Sequence, residues 1–223
     1  MWVPFAFANR VCRPRRASNL VMTTQALQLT AFGLDQLKLS STEIAAPAAG
    51  QVHVRFHAAS LNYRDLMIVL GHYNPKMELP RLLGSDAAGE IVAVGEGVTQ
   101  WVPGDRVASL FFQDWQDGEI TQAVRKSALG GPIDGVFATE RILPAEGLIR
   151  IPDFLSFAEA ATLPCAAVTA WNGLVEKGNL RAGQTVLIQG TGGVSLFGLQ
   201  IAKAHGARAV SYTHLTLPTK RIV

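Results

Sequence analysis

The chain has 223 residues, enough for one or two domains, and its 48% hydrophobic content is ample for a core. Its 20 Lys and Arg against 17 Asp and Glu give a formal net charge of +3. Six of those basic residues lie in the first 21 and last 13 positions, which hold no acid; the remaining 14 face all 17 acids, a net charge of −3. The central part is therefore mildly acidic, and without a basic patch interleaved with aromatics it is not a nucleic-acid binder. No run of about 18 apolar residues occurs, so no membrane-spanning helix is expected. Two cysteines, Cys12 and Cys165, offer no disulfide framework and fit a reducing compartment.

Residues 1–21 contain Arg10, Arg13, Arg15 and Arg16 and no acid, the charge bias of a transit peptide or of a start codon read too early. The arginines follow the apolar residues, which is the wrong order for a secretory signal. Ordered structure is expected to begin at Met22, with residues 1–21 outside the folded unit. Residues 51–56 alternate strictly, with Val52, Val54 and Phe56 on one face and Gln51, His53 and Arg55 on a wet one. Glu90–Val94 reads as a further strand ended by the Gly95-Glu96-Gly97 turn, and Pro103-Gly104-Asp105 turns the chain before a strand at Arg106–Ala108. Short strands with Gly and Pro punctuation persist to about Pro152, so residues 22–152 read as a mostly β, barrel-like domain.

The pattern changes at Asp153. Ser156 and Glu159 form a capping box, Pro164 interrupts the helix that follows, and residues 166–177 form another helix ended by Gly178. Val186, Leu187 and Ile188 then form the apolar run of a buried parallel strand. Gly190, Gly192 and Gly193 turn the chain into a helix with Val194, Phe197, Ile201 and Ala204 on one face and Gly206 as its stop. Strand, glycine turn and helix present bare backbone N–H groups where a pyrophosphate binds, with Gly192, Gly193 and Val194 as the donors. Ser195 stands where the third glycine of the fingerprint belongs. A dinucleotide-binding domain therefore opens at residues 153–210. The segment Ser211–Val223 resembles a translated sequencing-adapter read and is expected not to be native. With only the start of a parallel sheet to cover Val186, Leu187 and Ile188, the chain as written is expected to be inactive and open to proteolysis beyond about Asp153.

Five segments carry a resemblance: AASLNYRDLMI (58–68), LLGSDAAGEIVAVGEGV (82–98), VPGDRV (102–107), LSFAEAATLPCAAVTAWNGL (155–174) and VLIQGTGGVSLFGLQIAKAHGA (186–207). Together they resemble the medium-chain dehydrogenase/reductase superfamily, in its zinc-independent, quinone-oxidoreductase-like and alcohol-dehydrogenase-like branch. The implied fold class is β plus α/β, a GroES-like barrel-type catalytic domain followed by the beginning of a Rossmann domain. The implied activity is hydride transfer between NADP or NAD and a quinone, an enone (enoyl) or a simple carbonyl, with NADP favoured by the resemblance alone. The acid or cation that chooses between them belongs at the end of the second strand. A zinc-type alcohol dehydrogenase and a nucleotide-binding protein without turnover are the alternatives.

By the same resemblance Asn62 lies beside the nicotinamide, with Thr169 near it. Tyr63, Arg64 or Tyr73 reaches the substrate carbonyl, and Asp65 orients the loop. Zinc-dependent relatives carry a cysteine where this chain has Asn62 and a Gly-His-Glu run at Gly84-Ser85-Asp86, with a further ligand at Cys165. The four cysteines of their structural zinc lobe are missing here. No metal is expected. The resemblance further implies a small-molecule substrate, a homodimer and a cytoplasmic location, or a mitochondrial one if residues 1–21 are a transit peptide.

Overall fold

A computed structural model describes residues 22–212; the expectations for residues 1–21 and for residues 213–223 lie outside the described residues. Strand β1 (Met22–Leu29) pairs antiparallel with β2 (Leu37–Ile44) in unbroken register, from Met22 opposite Ile44 to Leu29 opposite Leu37. The hairpin turns at Gly33, whose φ of 126° only glycine adopts without strain. A second, five-stranded antiparallel sheet runs in the order β7 (Glu140–Pro144), β3 (Gln51–Ser60), β5 (Asp86–Val94), β6 (Arg106–Ser109) and β8 (Leu148–Arg150). The two-residue β4 (Arg81–Leu82) joins the free side of β1.

The two faces of the larger sheet have different partners. Val52, Val54, Ala87, Ile91 and Val107 fill the barrel with Leu129, Leu143 and Trp101, whose indole N–H donates to the Ala145 carbonyl oxygen at 2.8 Å. Ala88 and Ala108 face the other way and meet Ala160 and Ala161 in and just beyond α3 (Phe157–Ala160). Small side chains there let the helix lie close on the sheet. Gly89 is required between them, because a Cβ would overlap the Arg55 carbonyl oxygen where β3 shifts register.

Three sequence expectations change at this level. Strand β5 starts at Asp86, four residues earlier than the alternation suggested, because Asp86, Ala87, Ala88 and Gly89 are too small to mark two faces. The strand at Arg106 runs one residue further, to Ser109. His53 is not on a wet face: it is fully buried, since β7 pairs alongside β3 and brings the Glu140 carboxylate to its ring nitrogen, Nε2 to Oε2 2.9 Å. Burial works against the Glu140 charge, yet the Arg55 hydrogen bond at 2.8 Å and His53 together hold its carboxyl below the usual range.

After α3, capped by Ser156 and Glu159 as the sequence indicates, a continuous helical run covers residues 163–177. Its centre is α4 (Val168–Trp171), flanked by wider i→i+5 turns over Leu163–Ala167 and Asn172–Lys177. Pro164 does not interrupt this helix but stands in its first turn, where the N–H it lacks would have no partner. Strand β9 (Thr185–Gln189) and β10 (Arg208–Tyr212) pair in parallel, joined by α5 (Gly193–Ala204). The ladder of β10 continues through Ser211 and Tyr212, two residues beyond the expected break.

The seam of α5 is offset from its apolar spacing. Gly198 and Ala202 are the buried residues, while Val194 and Ala204 are exposed. A Cβ on Gly198 would lie in van der Waals contact with Leu174 and Ile188, so the line of closest approach takes only small side chains and the larger ones flank it. That packing buries Ile188 and half-buries Val186, so of the three strand residues expected to be exposed only Leu187 is, at 62%.

Candidate active site

Asn62 is the extended residue that opens α1 (Tyr63–Val69). Its backbone N–H donates to Asp65 Oδ2 at 2.7 Å, and the Asp65 N–H returns to the Asn62 carbonyl oxygen at 2.9 Å. Asp65 thus caps the helix and holds the loop. Asn62 and Asp65 form a capping box, and the Asn62 Nδ2 also donates to Asp86 Oδ2 at 2.8 Å. The same carboxylate oxygen accepts the backbone N–H of Cys165 at 3.2 Å. One fully buried carboxylate therefore ties together the start of α1, the start of β5 and the 163–177 helix.

The electrostatics of this junction are unbalanced. Asp86 Oδ1 and the neighbouring Ser85 hydroxyl have no hydrogen-bond partner of good geometry, and burial, with the nearby charge of Asp65 adding to it, pushes the Asp86 carboxyl up to about 6 against the pull of Asn62, Ser85 and the Cys165 N–H. Burial, and then the Asp86 charge, pushes the Cys165 thiol up to about 11, so it remains a thiol at neutral pH. A carboxylate kept ionised against its surroundings costs stability, and such groups concentrate at functional sites.

Two cavities border this junction, Asn62 lining one and Cys165 the other. The first is a groove of about 520 Å³ with Asn62 and Tyr63 on one wall, Gly192, Gly193 and Val194 on the other, and Thr162 and Ala166 between them. A Cβ on Gly192 would meet nothing within 4 Å, so the backbone is bare towards the groove. Gly192 caps α5 without any side-chain hydrogen bond, leaving the first N–H groups of the helix to a ligand. Ser195 fits at the third-glycine position because its hydroxyl donates to the Gln189 carbonyl oxygen at 2.8 Å, while Gly198 makes the close approach to the strand.

The second cavity is an apolar chamber of about 630 Å³ between β6, β8 and the helix. Phe111, Phe112, Trp115 and Val168 line it together with Cys165 and Thr169. Its Phe111 wall is braced from behind by Arg64, whose guanidinium lies 4.7 Å from the Phe111 ring and 4.8 Å from that of Tyr73 and donates to the Leu129 carbonyl oxygen at 2.9 Å.

The residues singled out from sequence therefore divide. Asn62, Tyr63, Gly192, Gly193 and Val194 share the groove, where Tyr63 is 76% exposed. Gly190 turns the chain with a φ of 76° without lining it, and Thr169 faces the chamber. Tyr73 lines neither cavity; its ring lies against Arg64. Sequence reasoning weighed Asp86 only as a metal ligand. A single carboxylate in the run LLGSDAAGE was the signal of a buried charge.

The groups present fit a dinucleotide and do not fit zinc. The bare glycine backbone at a helix N-terminus is what a pyrophosphate needs. At the positions where zinc-dependent relatives hold metal, this chain offers an amide, a hydroxyl, one carboxylate and one thiol. The amide and the carboxylate are bonded to each other, and no three His, Cys, Asp or Glu converge among the described residues.

The alcohol dehydrogenase GroES-like domain family matches residues 48–153. A zinc-type alcohol dehydrogenase-like protein of Schizosaccharomyces pombe is 49% identical over 178 residues, covering 78% of this chain and 51% of that protein. The acryloyl-coenzyme A reductase of Metallosphaera sedula is 38% identical over 174 residues, covering 75% of this chain and 52% of that one. The solved structure of an NAD-dependent alcohol dehydrogenase superposes with a TM-score of 0.75 at 33% identity, covering 85% of this chain and 57% of that one. The chain spans about half the length of the curated relatives it matches. It belongs to the medium-chain alcohol dehydrogenase and quinone oxidoreductase-like family, with the GroES-like domain at its centre.

Proposed function

We propose that these residues form the substrate domain and the dinucleotide-phosphate cradle of a zinc-independent oxidoreductase that reduces a quinone, an enone or a simple carbonyl. One observation carries this reading: a groove with a bare helix N-terminus and an apolar chamber both border the Asn62–Asp86–Cys165 junction, Asn62 lining the first and Cys165 the second. NADPH or NADH supplies the hydride when bound. The N–H groups of Gly192, Gly193 and Val194 hold the phosphates. Asp86 fixes the Asn62 amide at the groove by accepting a hydrogen bond from its Nδ2.

On the chamber side, oxygen stabilisation falls to neutral donors. The Thr169 hydroxyl and the Asn172 amide line the chamber and make no side-chain hydrogen bond among the described residues. The Cys165 thiol, held protonated, adds a weak donor and is no nucleophile at neutral pH.

Zinc independence has a direct check. Elemental analysis of the purified protein finds well under one zinc per chain, and a chelator leaves NADPH binding unchanged. Stoichiometric zinc, lost together with binding, would replace this reading by the zinc-type alcohol dehydrogenase one.

A further inference from the structure

We propose that the chamber beside Cys165 and Thr169 receives the uncharged, apolar body of a bulky carbonyl or enone substrate, of naphthalene size or larger, with its oxygen turned to the 163–177 helix. This rests on the hydride-transfer reading above and narrows it to a substrate class. Size is the first argument. A cavity of roughly 150 Å³ is filled by benzene, and this chamber, open on one side, has about 630 Å³. A three-carbon acyl group would leave most of it to water against aromatic walls.

The walls supply the second argument. Phe111 and Phe112 meet edge to face at 4.8 Å, and Phe112 and Trp115 at 6.1 Å, so the aromatic wall is fixed by its own packing. The Trp115 indole N–H is already spent on the Asp117 and Gly118 carbonyl oxygens, at 3.0 and 3.2 Å, so this ring offers the chamber apolar surface and no donor.

Charge is the third. Among the described residues Arg150 is the one cation on the wall, and its fork is taken up by Asp105, Nη1 to Oδ1 2.6 Å and Nη2 to Oδ2 3.0 Å, while its plane lies over Trp101. Among the described residues no unpaired cation lines the chamber to receive a carboxylate or a phosphate. Free polar atoms occur along one edge only, at Thr169 and Asn172 on the helix, so a substrate with one oxygen and a large apolar body fits in one orientation.

The test uses the 223-residue chain without dinucleotide. The probe is 2-acetonaphthone, an unreactive aromatic ketone, measured by equilibrium dialysis and by quenching of Trp115 fluorescence. Binding is expected in the micromolar range, at least tenfold tighter than that of 2-naphthoate or of 2-butanone. Val168→Trp fills the chamber from a half-exposed position and is expected to weaken binding at least tenfold. Ile120→Trp serves the same purpose from the opposite wall should Val168→Trp lose its native circular dichroism. Trp115→Phe is expected to remove the quenching and keep the dialysis affinity. Naphthoate binding as tightly as the ketone, a filled chamber that binds as before, or no binding up to millimolar ketone overturns the proposal. No dinucleotide and no turnover enter the measurement, so these failures are distinct from failure of the hydride-transfer reading.

Discussion

Replacing Gly192 by valine is expected to leave the fold intact and to remove NADPH binding. Its φ of −72° and ψ of 174° are extended values open to any residue, and a Cβ there meets nothing within 4 Å. Valine is a poorer helix cap than glycine, so the stability cost is about 1 kcal/mol or less. The branched side chain would, however, stand where a pyrophosphate approaches the N–H groups of α5. A loss of at least a hundredfold in affinity is expected, about 3 kcal/mol. Gly84 and Gly89 give the contrast: a Cβ would overlap the Phe137 ring at the first and backbone at the second, so these glycines serve the fold. Denaturant melts paired with titration of reduced-nicotinamide fluorescence separate the two effects. A Gly192→Val chain that binds NADPH like the native one would show that the phosphates lie elsewhere.

Asp86→Asn is expected to stabilise the chain at neutral pH. The native carboxyl titrates at about 6 in the folded chain against 3.8 in the unfolded one. The folded state therefore holds its proton more tightly between those values, and stability falls as pH rises from about 4 to 6 and stays low above. A shift of this size corresponds to ~3 kcal/mol of cost in the ionised form. Asparagine keeps an acceptor for Asn62 Nδ2 and the Cys165 N–H but carries no charge. Its new amide hydrogens must be satisfied where Oδ1 has no partner now, so the expected gain at pH 7.5 is about 2 kcal/mol. The charge of Asp65 lies nearby and couples to that of Asp86, so the difference between the two pH profiles reports Asp86 together with that coupling. That difference should vanish below pH 4. A variant less stable than the native chain at pH 7.5 contradicts the imbalance.

The locally encoded features were legible in the sequence. The Ser156–Glu159 box, the glycine turn at residues 190–193 and the Gly206 stop are each specified by a few neighbouring residues, and each occurs as read. What failed depended on a partner from elsewhere in the chain. His53 alternates as a surface residue would, and is buried only because β7 delivers Glu140. The apolar spacing of α5 marks its bulky residues, but contact with β9 selects the small ones, Gly198 and Ala202.

At the candidate site, resemblance pointed to Asn62 and the glycines, whereas the bonds of Asp86 needed the three-way meeting of α1, β5 and the 163–177 helix. The residues 111–115 carried no periodic signal. Their chamber exists only where β6, β8 and that helix converge.

The claim that Asn62 and the glycine turn are two walls of one dinucleotide site can be measured on the chain itself. NADPH titrated into the ¹⁵N-labelled protein should shift the backbone amides of Gly192, Gly193 and Val194 and the side-chain amide of Asn62 together, with one common dissociation constant. Shifts confined to the glycine turn, or absent from both walls, would contradict it.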